Sequence, residues 1–256
     1  MTDDIVKILL RDHTTGKNII WATSDRSTQE ILPSDAENII PRWQKDRFEQ
    51  KNRTRARAEI FTPPEVCEIQ NNLVIGDTRD LEKFIDARFL EITCGEAPYI
   101  TSRYNAATGE AIDFANRVGI LDKKLKIIGN ETKSVADLID FTLRAVKSVY
   151  GYEFQGDNLF LARKNIFLTV EEFLTGKIAV AELKNHLLQV ADVISWNFWQ
   201  MDGRTNSPPF TDSNRQTEFN FYGDKPKPND KIFCEIFDWQ AEKRIIFKNL
   251  LGGARK

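Results

Sequence analysis

From about residue 84 onward, short apolar runs alternate with longer stretches whose apolar residues recur at helical spacing. That alternation is the signature of a βαβ architecture. Strands are predicted over 88–93, 149–154, 192–198, 231–237 and 244–247. Between the first two, DLIDFTLRAVKSVYG repeats Leu138, Ile139, Leu143 and Val146 at helical spacing. Between the second and third, DNLFLARKNIFLTVEEFLTG and AVAELKNHLLQVA are also helical. The chain has 256 residues, enough to bury a core as one large domain or as one domain with an appendage.

The order of elements gives meaning to the stretch FLEITCGEAPYITSRY (89–104), where a strand runs into a Thr-Cys-Gly turn and then into a predicted helix. A glycine turn at the carboxyl edge of a parallel sheet sets backbone amides and a helix N-terminus beside a crevice. Cys94 and Gly95 form the floor of that crevice in this reading. Glu153 ends the second strand, where such folds hydrogen-bond the two hydroxyls of a ribose. Taken singly, a strand-capping glycine and a surface acid are the plainer explanations.

The N-terminal part reads differently. Ile5 to Leu10, a turn at 14–17 and Asn18 to Ala22 predict a hairpin. The basic run RWQKDRFEQKNRTRARA (42–58) is either a solvated helix or linker, or an arm whose Arg53, Arg55 and Arg57 contact nucleic-acid phosphates. FTPPEVCEIQNNLV predicts a helix opened by Pro63 and Pro64. The chain therefore divides at 58/59, into a β-rich appendage with its basic segment (1–58) and an α/β domain (59–256).

Several classes are disfavoured. The formal net charge of -2 gives no overall basic field, which weighs against nucleic-acid binding by bulk charge. Cys67, Cys94 and Cys234 are isolated, and His13 and His186 lack ligand-like neighbours, so no zinc site is expected. A phosphate-binding G-x-x-x-x-G-K-S/T is absent, and no E-x-K accompanies Asp238 as a magnesium nuclease requires. Neither a signal peptide nor a membrane span is expected, and the reading is a cytoplasmic protein.

Three ordered segments carry a family resemblance. FTPPEVC is similar to the F/Y-T-P segment of many DNA adenine methyltransferases, LEITCGEAPYI resembles their D-P-A-C-G-S-G cofactor motif, and GYEFQGDNLFLARKN is similar to their G-x-D/E…A-x-x-N segment. With ISWNFWQMDG added, the set also resembles methylase-type subunits of restriction systems, over most of the chain from Arg11 to Leu250.

The resemblance implies a Rossmann-like class I methyltransferase sheet and S-adenosylmethionine as cofactor. By the same resemblance Phe61, Thr62 and Pro63 pack against the methionine end of the cofactor. Glu91, Cys94 and Gly95 form the methionine-binding turn, Glu153 takes the ribose hydroxyls, and Asp202 lies near the adenine ring. The second glycine of the family motif is missing here, because the chain continues Glu96-Ala97-Pro98.

The implied activity is transfer of a methyl group to the exocyclic nitrogen of adenine in DNA, within a restriction-modification or related defence system. The family's catalytic loop is a polar residue followed by Pro-Pro and an aromatic, after a buried strand. Ser207-Pro208-Pro209-Phe210 has those letters, but polar residues separate it from the strand ending near Trp199. Asp238-Trp239 follows a strand but lacks the prolines. Implied partners are DNA and either a restriction or specificity subunit or a second copy of the chain. The rival expectation is a methyltransferase-fold module that binds cofactor, DNA or a partner without catalysis.

Overall fold

The structure is a computed structural model describing residues 1–23, 28–57, 59, 62–76, 79–211 and 232–252, with residues 56 and 57 described by backbone only. In chain order the helices and strands are α1 (Asp3–Leu10), α2 (Arg47–Arg57), α3 (Pro64–Val74), α4 (Leu81–Asp86), β1 (Phe89–Ile92), α5 (Ile120–Glu131) and α6 (Val135–Lys147). There follow β2 (Val149–Glu153), α7 (Gly156–Leu174), α8 (Val180–Asn197), β3 (Phe198–Gln200), β4 (Glu235–Asp238), β5 (Lys243–Ile246) and α9 (Lys248–Leu251).

Parallel strands need long crossovers, and helix pairs supply them: α5 and α6 between β1 and β2, α7 and α8 between β2 and β3. The three strands make one parallel sheet in the order β1-β2-β3, with Phe89 opposite Val149 and Glu153 opposite Gln200. The protein is thus mixed α/β around a short parallel sheet.

The two faces of the sheet follow from the period of two along a strand. Val149 and Phe198 enter the main core with Leu159, Phe160, Ile166 and Phe167 of α7. Tyr150, Tyr152, Trp199 and Met201 turn the other way, onto Ile236, Ile245 and Phe247 of the antiparallel β4-β5 hairpin and its flank. The result is a helix layer, the parallel sheet and a hairpin cover. Helix α7 is buried on nearly every side, although Asp157, Asn158, Arg163 and Asn165 are among its buried residues.

Arg163 of α7 is fully buried. Its guanidinium donates to the carbonyls of Leu9 (2.5 Å), Arg11 (2.9 Å), Ser195 (3.1 Å) and Phe198 (2.6 and 2.8 Å). The last turns of α1 and α8 leave carbonyls without helical partners, and this side chain satisfies both ends at once. Asn197 then pins the end of α8 to the start of β2, donating to the carbonyls of Val146, Lys147 and Val149.

Four expectations are corrected. Residues 3–10 form a helix, not a strand: Ile5 and Leu9 recur at i, i+4, Asp3 and Asp4 occupy the first turn and Lys7 the last, which suits the helix dipole. Residues 192–197 continue α8, and the strand is only 198–200, because Val190, Val193 and Ile194 are buried on one helical face. No helix follows the Thr-Cys-Gly turn, which opens instead into further turns up to residue 100. The expected β-rich appendage is not formed. Among the described residues of that part only isolated bridges occur, Arg11 with Asn18 and Ile20 with Glu30. Ile5, Leu9, Ile19, Ile31 and Ile39 share one core with Leu159 and Ile194, so the core runs across 58/59.

Among the described residues no helix is long and apolar enough to cross a membrane. Replacing Arg163 by Met should leave the buried carbonyls of Leu9, Ser195 and Phe198 and the part-buried one of Arg11 without this donor, at about 1–3 kcal/mol for each buried group left unpaired. Urea unfolding of Arg163→Met is expected to give a loss of at least about 3 kcal/mol, with Arg163→Lys losing less because an ammonium retains three donors.

Candidate functional site at the carboxyl edge of the sheet

The turn after β1 is held in unusual backbone geometry. Thr93, Gly95 and Ala97 all have positive φ, at 48°, 54° and 61°. Only Gly95 takes that conformation without a side-chain penalty. The turn is fastened by Cys94 N–H to the Tyr152 carbonyl (2.9 Å) and Ala97 N–H to the Cys94 carbonyl (2.7 Å). Gly95 N–H then donates to Oε2 of Glu153 at 2.9 Å, and Gln155 N–H to Oε1 at 3.1 Å. The carboxylate at the tip of β2 thus faces the Thr-Cys-Gly turn, as the strand order implies.

A second carboxylate lies beside it. Oε1 of Glu91 accepts from Tyr99 N–H at 3.4 Å, while Oε2 is buried with no hydrogen-bond partner, although part of the residue's surface is exposed. Burial pushes Glu91 well above the usual carboxylate range, and the nearby Glu153 adds to this. Glu153 is raised for the same main reason, against the lowering effect of its amide donors. The Cys94 thiol, buried between these acids, is also pushed well up and stays protonated.

Glu96, which stands where the family motif has its serine, one residue before the Ala97 that replaces the second glycine, has a structural use. It is 3% exposed and accepts from Arg42 N–H at 2.8 Å and from the Tyr104 hydroxyl. It thereby fastens the segment that leads into α2. From α2, Arg53 reaches inward: Nη1 and Nη2 form a fork on Asp157 (2.8 and 3.1 Å) and Nε donates to Glu59 (2.6 Å). Lys45 Nζ also donates to Asp157, at 3.0 Å. Burial acts to raise Asp157, but Lys45 and Arg53 outweigh it and hold its carboxyl below the usual range.

Nothing in the motif reading pointed to Asp157, Glu59 or Lys45. The available signal was the acid in the first turn of α7, where the helix dipole favours it.

The two candidate loops occupy opposite edges of the sheet. Residues 203–206 form a tight turn that returns Ser207 against Asp202, with Asp202 N–H donating to the Ser207 carbonyl at 2.9 Å. The polar spacer is thereby folded away. Ser207-Pro208-Pro209 is buried at the carboxyl end of β3, and Phe210 stands edge-on to Phe154, just after Glu153, at 5.6 Å. Phe210 has a φ of 62°, a strained value for an aromatic residue.

Asp238-Trp239 is at the other end. Trp239 Nε1 donates to Asn197 Oδ1 at 2.7 Å, at the amino end of β3, and Asp238 caps its own turn through the amides of Gln240 and Ala241. Strand β4 runs from Cys234, whose amide meets the Asn206 carbonyl, down toward Asn197. Its loop therefore leaves at the amino edge, about 13 Å from Glu153 at about 3.3 Å per residue along β2. Asp238 and Trp239 do not share a site with the turn.

The remaining predicted residues are distributed as follows. Thr62 and Pro63 open α3, whose Asn71 donates to the Tyr99 and Val118 carbonyls and so sets the helix beside the turn. Asp202 adjoins Glu153, since Met201 N–H donates to the Glu153 carbonyl, and its Oδ1 accepts from Arg204 N–H. Arg55 is exposed. Phe61 and the side chain of Arg57 lie outside the described residues. Among those described, no group of three or more His, Cys, Asp or Glu could hold a metal ion.

The geometry is a parallel-sheet edge at which a strained turn, a buried pair of acids and a proline loop converge from three distant parts of the chain. Compared with family models, curated proteins and solved structures, the chain matches none.

Because Glu91 is raised on folding, it contributes stability fully below about pH 4.5, and that contribution is lost as pH rises through its folded value. Glu91→Gln removes the buried charge. The variant should exceed wild type in Tm near pH 8 by about 2–4 °C, on the order of 1 kcal/mol, with the gap closing toward pH 4.5. Thermal unfolding of both proteins across that range measures it.

Proposed function

We propose that the chain is an S-adenosylmethionine-dependent DNA methyltransferase of Rossmann-like fold, acting on the exocyclic nitrogen of adenine in a restriction-modification or related defence setting. The observation that carries the reading is the meeting of Gly95, Glu153 and the Ser207–Phe210 loop at one sheet edge. The donor set also fits the cofactor: Glu91 Oε2 is a buried acceptor without a donor, suited to the ammonium at the methionine end. Glu153 accepts backbone N–H bonds on both oxygens, and because a carboxylate has about four acceptor sites it keeps capacity for a ribose hydroxyl.

S-adenosylmethionine would supply the electrophilic methyl group. The protein's part is to hold and orient. Ser207 and the prolyl carbonyl draw hydrogen bonds from the target amino group, which directs its lone pair outward, while Phe210 stacks on the extruded base. The reaction requires no covalent protein intermediate and no thiolate, consistent with the protonated Cys94.

One observation favours the second reading, a non-catalytic module of the same fold: Ser207 is 1% exposed, so an amino group reaches it only if residues 203–210 move.

Calorimetric titration with S-adenosylmethionine should show binding that Glu153→Ala weakens by about 1.5–3 kcal/mol, with Glu153→Gln intermediate. Unchanged affinity in a folded Glu153→Ala protein overturns the cofactor reading. Phe210→Ala should retain cofactor affinity and abolish transfer of labelled methyl groups to mixed genomic DNA, because the stacking contact of about 1–3 kcal/mol serves only the base. Cofactor binding by a wild type that transfers no label selects the module.

A further inference from the structure

Helix α2 divides its cations between two sides. At about 100° per residue, Arg47, Lys51 and Arg55 fall within an arc of about 80°, and Phe48 lies just beyond Arg55. Arg53 lies on the far side of the helix, where its guanidinium grips Asp157 and Glu59. Arg47, Lys51 and Arg55 are exposed, and among the described residues no acid pairs with any of them. Together with Arg42, Gln50 and Thr54 they line an open groove that contains no acidic side chain. Phe48, 76% exposed, stands beside this row.

We propose that this outer face of α2 is a docking surface for the phosphate backbone of nucleic acid, with Arg47, Lys51 and Arg55 as the phosphate contacts. The inference rests on the nucleic-acid part of the function proposed above and assigns it a surface.

The spacing selects the partner. Four helical residues rise about 6 Å, so the three cations form a row of about 12 Å, longer than a single phosphate group. Successive cations stand about 6 Å apart, near twice the 3.4 Å axial charge spacing of one DNA strand, so the row matches a repeating polyanion. An exposed aromatic next to such a row is the arrangement that accepts an unpaired base by stacking. A net charge of -2 for the chain is no obstacle, because the field that matters is local to the groove.

The inward Arg53 gives the surface its position. Its fork on Asp157, in the first turn of α7, ties α2 to the carboxyl edge that also carries Glu153. The outer face is thereby held in a fixed position relative to the candidate site. Arg53 is a positioning residue for this surface, and its neighbours on the outer face make the contact.

The test is fluorescence anisotropy of a labelled, mixed-sequence duplex and of its single strand, with KCl varied from about 50 to about 200 mM. Wild type should show log Kobs falling linearly with log[KCl]. The triple variant R47A/K51A/R55A should bind more weakly and lose about 2.7 from that slope, three contacts at about 0.9 each. Phe48→Ala should weaken binding of the single strand more than that of the duplex. Circular dichroism and thermal unfolding of each variant establish that the fold is kept, which is expected because the altered side chains are exposed.

An unchanged slope in the folded triple variant overturns this surface while leaving DNA binding elsewhere on the protein intact. A wild type that binds neither probe overturns both this surface and the DNA reading. Salt-dependent binding lost in the triple variant, from a protein that takes up no S-adenosylmethionine, upholds the surface and removes only the methyltransferase assignment.

Discussion

The arrangement of the whole chain depends on one buried guanidinium. Arg163 carries its charge into the core without a contacting carboxylate, and burial lowers it to about 10. Such a group is tolerable only when its donors are satisfied, and here they meet the carbonyls that end α1 and α8. The same contacts fix where β3 begins and where the chain leaves α1. From there residues 18–22 cross the carboxyl edge, gripped by Gln200, which donates to the Ile20 carbonyl and accepts from its amide. Gly156 permits that crossing, because a Cβ there would stand 2.0 Å from the Ile20 carbonyl oxygen.

The carboxyl edge is therefore a dense polar interior. Its acids fall into two electrostatic groups. Glu91, Glu96 and Glu153 are raised by burial, whereas Asp157 is lowered by Lys45 and Arg53. The first group is costly to keep ionised and sits around the turn. The second is an ion-paired clasp that closes the basic segment onto α7. Glu96 fastens the segment ahead of α2, whereas Glu91 and Glu153 are kept at the turn although burial makes their charged forms costly, a pattern shared by acids at candidate functional sites. The clasp on Asp157 ties α2 to the same edge of the sheet as the loop at Ser207.

On the opposite face, the β4-β5 hairpin completes the layer over Tyr150, Tyr152 and Trp199 but leaves β1 less covered. Leu90 and Ile92 remain 45% and 63% exposed. The hairpin runs its turn toward the amino edge, where Trp239 packs under the Lys147 ammonium and bonds Asn197. The aromatic cluster of Trp196, Phe237 and Trp239 is thus a structural seam between hairpin and α8.

The sequence by itself determined the elements whose signal is local. The strands β1 and β2, the helices α3, α6 and α7, the Thr-Cys-Gly turn and the acid that ends β2 were all legible, because period, proline and glycine act within a few residues. Two local readings failed where two periods fit the same letters. Residues 5–10 are aliphatic but for Lys7, and 192–197 set Val193, Ile194 and Trp196 among polar residues; packing against α7 made both of them helix. Only the tertiary structure decided the rest. Whether Phe210 reaches Phe154, which edge Asp238 faces, and whether Arg53 turns inward toward Asp157 while Arg55 turns outward all depend on contacts between residues far apart in the chain. Such contacts carry no local period. Their direction is set by strand polarity and by which buried charges find partners.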